Sequence, residues 1–186
     1  MLSPMKTLYT YFPLVFFYRI TILIILIFVV GIIVYELYYR KKIQKYKAIA
    51  IDCLTIYTSF LLFLAVLSRR SLDYYRFGIN FTDYYKSLFL YTTQDIFLEF
   101  VLNIAVFIPM GIIAYFVFSK RKFFYSLLSG FLLSFVIELS QLVLKSGYVA
   151  FTDIVHNTFG TLIGIGIAAL LVFVYKKIKS KLGVNN

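Results

Sequence analysis

The chain has 186 residues, 62% of them apolar and only 15% charged, with 19 lysines and arginines against 8 aspartates and glutamates. Several apolar runs exceed the roughly 18 to 20 residues that cross a bilayer, which excludes a soluble globular domain. The single cysteine, Cys53, excludes an internal disulfide. The net charge of +11 calls for no nucleic acid, because its basic residues flank apolar runs, where each is attracted to anionic headgroups by about 1 kcal/mol.

Five spans are predicted, at 14–39, 48–67, 97–118, 123–144 and 154–175. None shows the period-2 alternation of a membrane barrel, so the expected fold is all-α, a polytopic helical bundle forming one membrane domain over 1–186. The first span is longer than a signal-peptide core and no small-residue cleavage site follows it, so it is expected to stay as an anchor. Basic clusters follow the first span (Arg40, Lys41, Lys42, Lys45, Lys47), the third (Lys120, Arg121, Lys122) and the fifth (Lys176, Lys177, Lys179, Lys181). An odd number of spans puts all three on one side, which places the N-terminus outside and the C-terminus in the cytoplasm.

Between the second and third spans, the segment 68–96 holds Tyr74, Tyr75, Phe77, Phe81, Tyr84, Tyr85, Phe89 and Tyr91 among Arg69, Arg70, Arg76 and Lys86. That mixture suits the outer membrane interface, either as an aromatic belt or as a lid over an anionic lipid-linked ligand. Asn80-Phe81-Thr82 matches the glycosylation triplet, a pattern too short to carry weight.

The third span carries Glu99 and Asn103 four residues apart, then Pro109 and Gly111. The proline removes a backbone donor and predicts a kink. In the fourth span Gly130, Ser134, Glu138 and Gln141 share one helical face; in the fifth, Asp153, Asn157, Gly160 and Gly164 do the same. Only 145–153 joins these two spans, so their polar stripes are expected to meet. A carboxylate within a span costs about 2.5 to 3.5 kcal/mol, which asks for specific pairing or chemistry. At 1.5 Å per residue, Asn103, Glu138 and Asn157 all fall within about 10 Å of the outer boundary, so one outward-facing polar pocket is expected.

The run Leu102-Asn103-Ile104-Ala105-Val106-Phe107-Ile108-Pro109-Met110-Gly111 resembles the GNxxxFxPxG signature of the VanZ-like family of bacterial membrane proteins. Ser134 to Gln141 resembles its SxxIExxQ element, and Asp153 to Gly160 its DDxxxNxxG element, giving a core of about 97–170. Thr152 stands where the family has the first of two adjacent acids, the usual basic residue near Gly147-Tyr148 is absent, and the NLxPF element is degenerate at Asn80-Phe81. The resemblance implies a multi-pass protein of the bacterial plasma membrane and a cell-envelope role. It also implies a link to resistance against lipid-tailed glycopeptides such as teicoplanin.

Two readings of the polar residues compete, with a transporter disfavoured by five spans without repeat symmetry. In the enzymatic one, Glu138 is general acid or base, assisted by Asp153, and Asn103, Ser134, Gln141, His156 and Asn157 hold a phospholipid or lipid-linked cell-wall precursor. In the other, the protein binds or shields without turnover, and the amides are interhelical glue at about 0.6 kcal/mol per pair. His156 is weighed as catalytic against a plain interfacial histidine. No cofactor is implied, no metal-ligand spacing is recognised, and the oligomeric state is open.

Overall fold

The computed structural model describes residues 4–68, 76–77, 81–86, 94–146 and 148–182. Arg69, Arg70, Tyr74, Tyr75, Asn80, Phe89, Tyr91, Gly147 and the tail 183–186 lie outside the described residues. Six α-helices are described: α1 (Pro4–Tyr39), α2 (Lys45–Leu62), α3 (Phe81–Lys86), α4 (Gln94–Val117), α5 (Lys122–Leu144) and α6 (Phe151–Lys181). Among the described residues, five stretches are long and apolar enough to cross a membrane: Phe16–Tyr39, Lys45–Leu67, Gln94–Val117, Lys122–Leu144 and Phe151–Lys181. They coincide with the five predicted spans. Their outward faces carry Ile25, Phe28, Leu132, Phe135, Leu170 and Phe173, an apolar surface that lipid covers.

The chain divides into two compact units, one formed by 1–78 with 136–149 and the other by 79–135 with 150–186, and α5 contributes residues to both. In the first unit α1 packs on α2. Their connection closes as a Schellman turn, with Lys41 at φ 56° and the Lys42 amide donating to the Leu37 carbonyl at 2.9 Å. The last turn of the second span is wound as a π-helix, Phe63–Leu67, whose wider turn interrupts the usual ladder of carbonyl partners. Two side chains donate to carbonyls of that segment: Gln141 Nε2 to Ala65 at 3.0 Å and Arg19 to Leu67 at 3.1 Å. Two-residue strands β1 (Arg76–Phe77) and β2 (Tyr148–Val149) pair in parallel, joining the predicted outer loop to the short α5–α6 connection by backbone. The sequence reading contained neither the π-turn nor this pairing.

The second unit is built on α4 and α6. α4 is continuous through Pro109. Ile104 meets Gly160, Ile108 meets Gly164 and Phe100 meets His156, the same stagger of 56 positions each time, so the two helices run parallel. The approach is backbone to backbone. A Cβ on Gly160 would lie 2.1 Å from the Ile104 carbonyl oxygen, and one on Gly164 would lie 2.1 Å from that of Ile108. The small residues at 160 and 164 thus pack as the sequence pattern predicts, because in lipid close van der Waals contact replaces the hydrophobic drive between helices. On α5, Gly130 leaves room for the Thr161 side chain.

Candidate functional site

Most of the predicted site residues are withdrawn from the surface. Ser134, Glu138, Gln141, His156 and Asn157 are buried, Asn103 and Asp153 half-buried. The helical faces predicted from spacing are therefore the packed ones. Their partners, however, separate the residues into three groups.

The first group lies in the middle of the second unit. Asn157 Nδ2 donates to Ser134 Oγ at 2.8 Å, joining α6 to α5, and Thr161 Oγ1 donates to the Asn157 carbonyl at 3.0 Å. Both residues of the first bond are buried, and the bond joins the helix pair away from water. Asn103 Nδ2 is enclosed without a protein partner.

The second group belongs to the first unit, where α5 continues past residue 135. Gln141 spends its amide on Ala65 of the π-turn, which leaves its Oε1 enclosed without a partner. Glu138 is 5% exposed. A carboxylate so enclosed within a span is costly and needs compensating interactions.

The third group surrounds His156, in the first turns of α6. The imidazole is 2% exposed, and Tyr84, Tyr85 and Phe100 surround it with ring centroids at 5.3, 5.8 and 4.9 Å. Tyr85 Oη and His156 Nε2 are hydrogen-bonded at 2.8 Å, and Nδ1 has no partner. His156 is thus no ordinary interfacial histidine, because α3 and α4 cover it. Tyr84 Oη donates to the Ile96 carbonyl at 3.5 Å, a long bond that tethers α3 to the start of α4.

Thr152 belongs to the same cluster. It is 1% exposed and its Oγ1 has no partner, whereas Thr158 and Thr161 on the same helix donate to the carbonyls four residues earlier. Thr152 lies in the first turn of α6, so the residue four positions before it precedes the helix and offers no such carbonyl. Asp153 stands beside it, favoured there by the positive end of the helix dipole. Burial, followed by the charges of Glu99 and Asp153 and by Tyr85, pushes the Tyr84 phenol well above its ordinary range. Both carboxylates therefore act on one phenol.

Sequence reasoning missed Tyr84, Tyr85, Phe100 and Thr152 as neighbours of His156. The proximity of Thr152, four residues before His156 on one helix, was readable from spacing, but only the packing of α3 and α4 on α6 brings the three rings there. Among the described residues no three of His, Cys, Asp and Glu group as a metal site.

The family model described as VanZ/LLP1 matches residues 16–173, which takes in the first two spans as well as the 97–170 core. No curated protein and no solved structure matches the chain.

Proposed function

The chain belongs to the VanZ/LLP1 family as a multi-pass membrane protein, and from that premise we propose that it acts on a phospholipid or lipid-linked cell-wall intermediate of the bacterial plasma membrane. The observation that carries this reading is the polar cluster enclosed at the start of α6, where His156 Nδ1 and Thr152 Oγ1 lack protein partners beside Asp153. Buried polar groups normally find partners, and a headgroup entering from the bilayer supplies them. Asp153 is the proposed proton-transfer carboxylate of this cluster, and Glu138, in the first unit, is separately proposed as another, a role worth about 100-fold to 10,000-fold in rate. Asn103, Ser134, His156 and Asn157 in the second unit and, separately, Gln141 in the first are the proposed headgroup-positioning residues. The outward-facing orientation and a role in teicoplanin resistance belong to the same proposal.

A second reading is favoured by a specific observation. Ser134 and Asn157 bond one another across the helices, and Gln141 Nε2 bonds the backbone. These three then act as interhelical glue, and the protein shields lipid-linked targets from a lipoglycopeptide without turnover.

Teicoplanin susceptibility in a sensitive bacterial host separates the two readings. Catalysis predicts that wild type lowers susceptibility and that Glu138→Gln and Asp153→Asn, equally expressed and inserted, do not. Protection retained in both variants supports shielding. Susceptibility unchanged by wild type removes the resistance role.

A further inference from the structure

The His156 imidazole is enclosed, yet its Nδ1 has no protein partner. A buried polar atom in that condition is penalised for as long as it is kept from water or from another donor or acceptor. Opening the cluster relieves that penalty. Which covering element can open follows from how each one is held.

α4 and α5 are held at backbone depth. Gly160 and Gly164 bring α6 against the Ile104 and Ile108 carbonyls, and a Cβ on Gly111 would lie 2.1 Å from the Thr161 carbonyl oxygen. Asn157 and Ser134 bond at 2.8 Å between α6 and α5, and the Thr161 side chain fills the space that Gly130 leaves. Moving either helix would undo close packing along several turns.

α3 is held differently. Its six residues are far fewer than the roughly 12 to 15 that a helix needs to be stable alone, so its order depends on what it rests against. Asp83 and Lys86 are exposed. α3 reaches the cluster through side chains: Tyr84, buried with its ring centroid 5.3 Å from that of His156, and Tyr85, whose Oη is bonded to His156 Nε2 at 2.8 Å. The Tyr84 Oη bond to the Ile96 carbonyl is 3.5 Å long and correspondingly weak. Lifting α3 parts these side-chain contacts and leaves the packing of α4 and α5 on α6 in place.

We infer that α3 is a lid on the His156 cluster, shut by Tyr84 and Tyr85, and that its lifting is the local opening through which a polar group reaches the imidazole. Phe100, on α4, stays against the ring as the floor of the opened site. The inference rests on the proposed headgroup-positioning role of His156 and gives that role its gate.

His156 is the only histidine of the chain, so its reactivity is read without ambiguity. Carbethoxylation of the purified full chain by diethyl pyrocarbonate, mapped by peptide mass, measures access to the imidazole. Amide exchange around Gly160 in the same samples measures opening of the helix packing. Wild-type His156 should react through an opening that leaves those amides protected. Tyr85→Phe should speed the reaction about ten-fold, the equivalent of one lost hydrogen bond. Tyr84→Leu keeps the bond to the ring nitrogen and should speed it as well, which separates opening from a change in the nitrogen's own reactivity.

Wild-type His156 reacting only as fast as the amides around Gly160 exchange overturns the lid, because access then needs the whole bundle to open. That comparison decides the matter even where a variant fails to fold. A folded Tyr84→Leu protein that reacts at the wild-type rate also overturns it. Teicoplanin susceptibility does not report access to His156, so the lid and the lipid function fail separately.

Discussion

Tyr85 Oη and His156 Nε2 lie 2.8 Å apart, joining a six-residue helix of the loop to the first turns of α6. The bond closes α3 over a buried imidazole whose other nitrogen has no protein partner. Tyr85→Phe should cost about 1 to 3 kcal/mol, because it strands an enclosed nitrogen and removes a hydrogen bond. Reversible unfolding in detergent measures the cost. His156→Phe, which removes the ring nitrogen together with its need for a partner, should cost less than Tyr85→Phe if the bond rather than ring packing dominates.

High pH should loosen α3 through its other tyrosine, Tyr84. The folded-state pKa of Tyr84 is raised, first by burial and then by Glu99, Asp153 and Tyr85. Folding therefore favours the neutral phenol. The stability is full below the unfolded value of about 10 and is lost as pH rises from there toward the folded value. Melting temperature should fall above about pH 10 in wild type, and the fall should be shallower in Tyr84→Phe.

Gly160→Ala and Gly164→Ala should destabilise by about 1 to 3 kcal/mol or more, since each new Cβ meets a carbonyl oxygen at 2.1 Å and the two backbones must separate. Gly31→Ala and Gly166→Ala, where nothing lies within 4 Å, should be neutral or slightly stabilising. A thermal-shift series in one detergent compares all four.

The stripes on α4, α5 and α6 were legible because burial in a helical membrane protein follows the 3.6-residue period, and small and polar residues mark the faces that cannot meet lipid. That is why Ser134, Asn157, Gly160 and Gly164 were placed correctly on packed faces. The π-turn at Phe63–Leu67 was not legible, because FLAVL satisfies an α-helix equally well by composition and hydropathy. Its carbonyls are bonded by side chains distant in sequence, Gln141 at 76 residues from Ala65 and Arg19 at 48 from Leu67. The His156 cluster escaped for the same reason: the aromatic loop reads as an interfacial belt until α3 is seen to fold onto α6.

Gln141→Leu should therefore act at a distance in sequence. With the donor removed, the Ala65 carbonyl loses its side-chain partner, and amide exchange should accelerate within 63–67. The amides around Gly160 should keep their rates.

Action on a membrane lipid is tested most directly by comparing the lipids of membranes that contain wild type, Glu138→Gln, Asp153→Asn or empty vector, at equal expression and with the folded state verified. The account predicts a phospholipid or lipid-linked wall precursor whose abundance changes with wild type and returns to the empty-vector level in both variants. Four matching lipid profiles would contradict it and leave binding without turnover as the function.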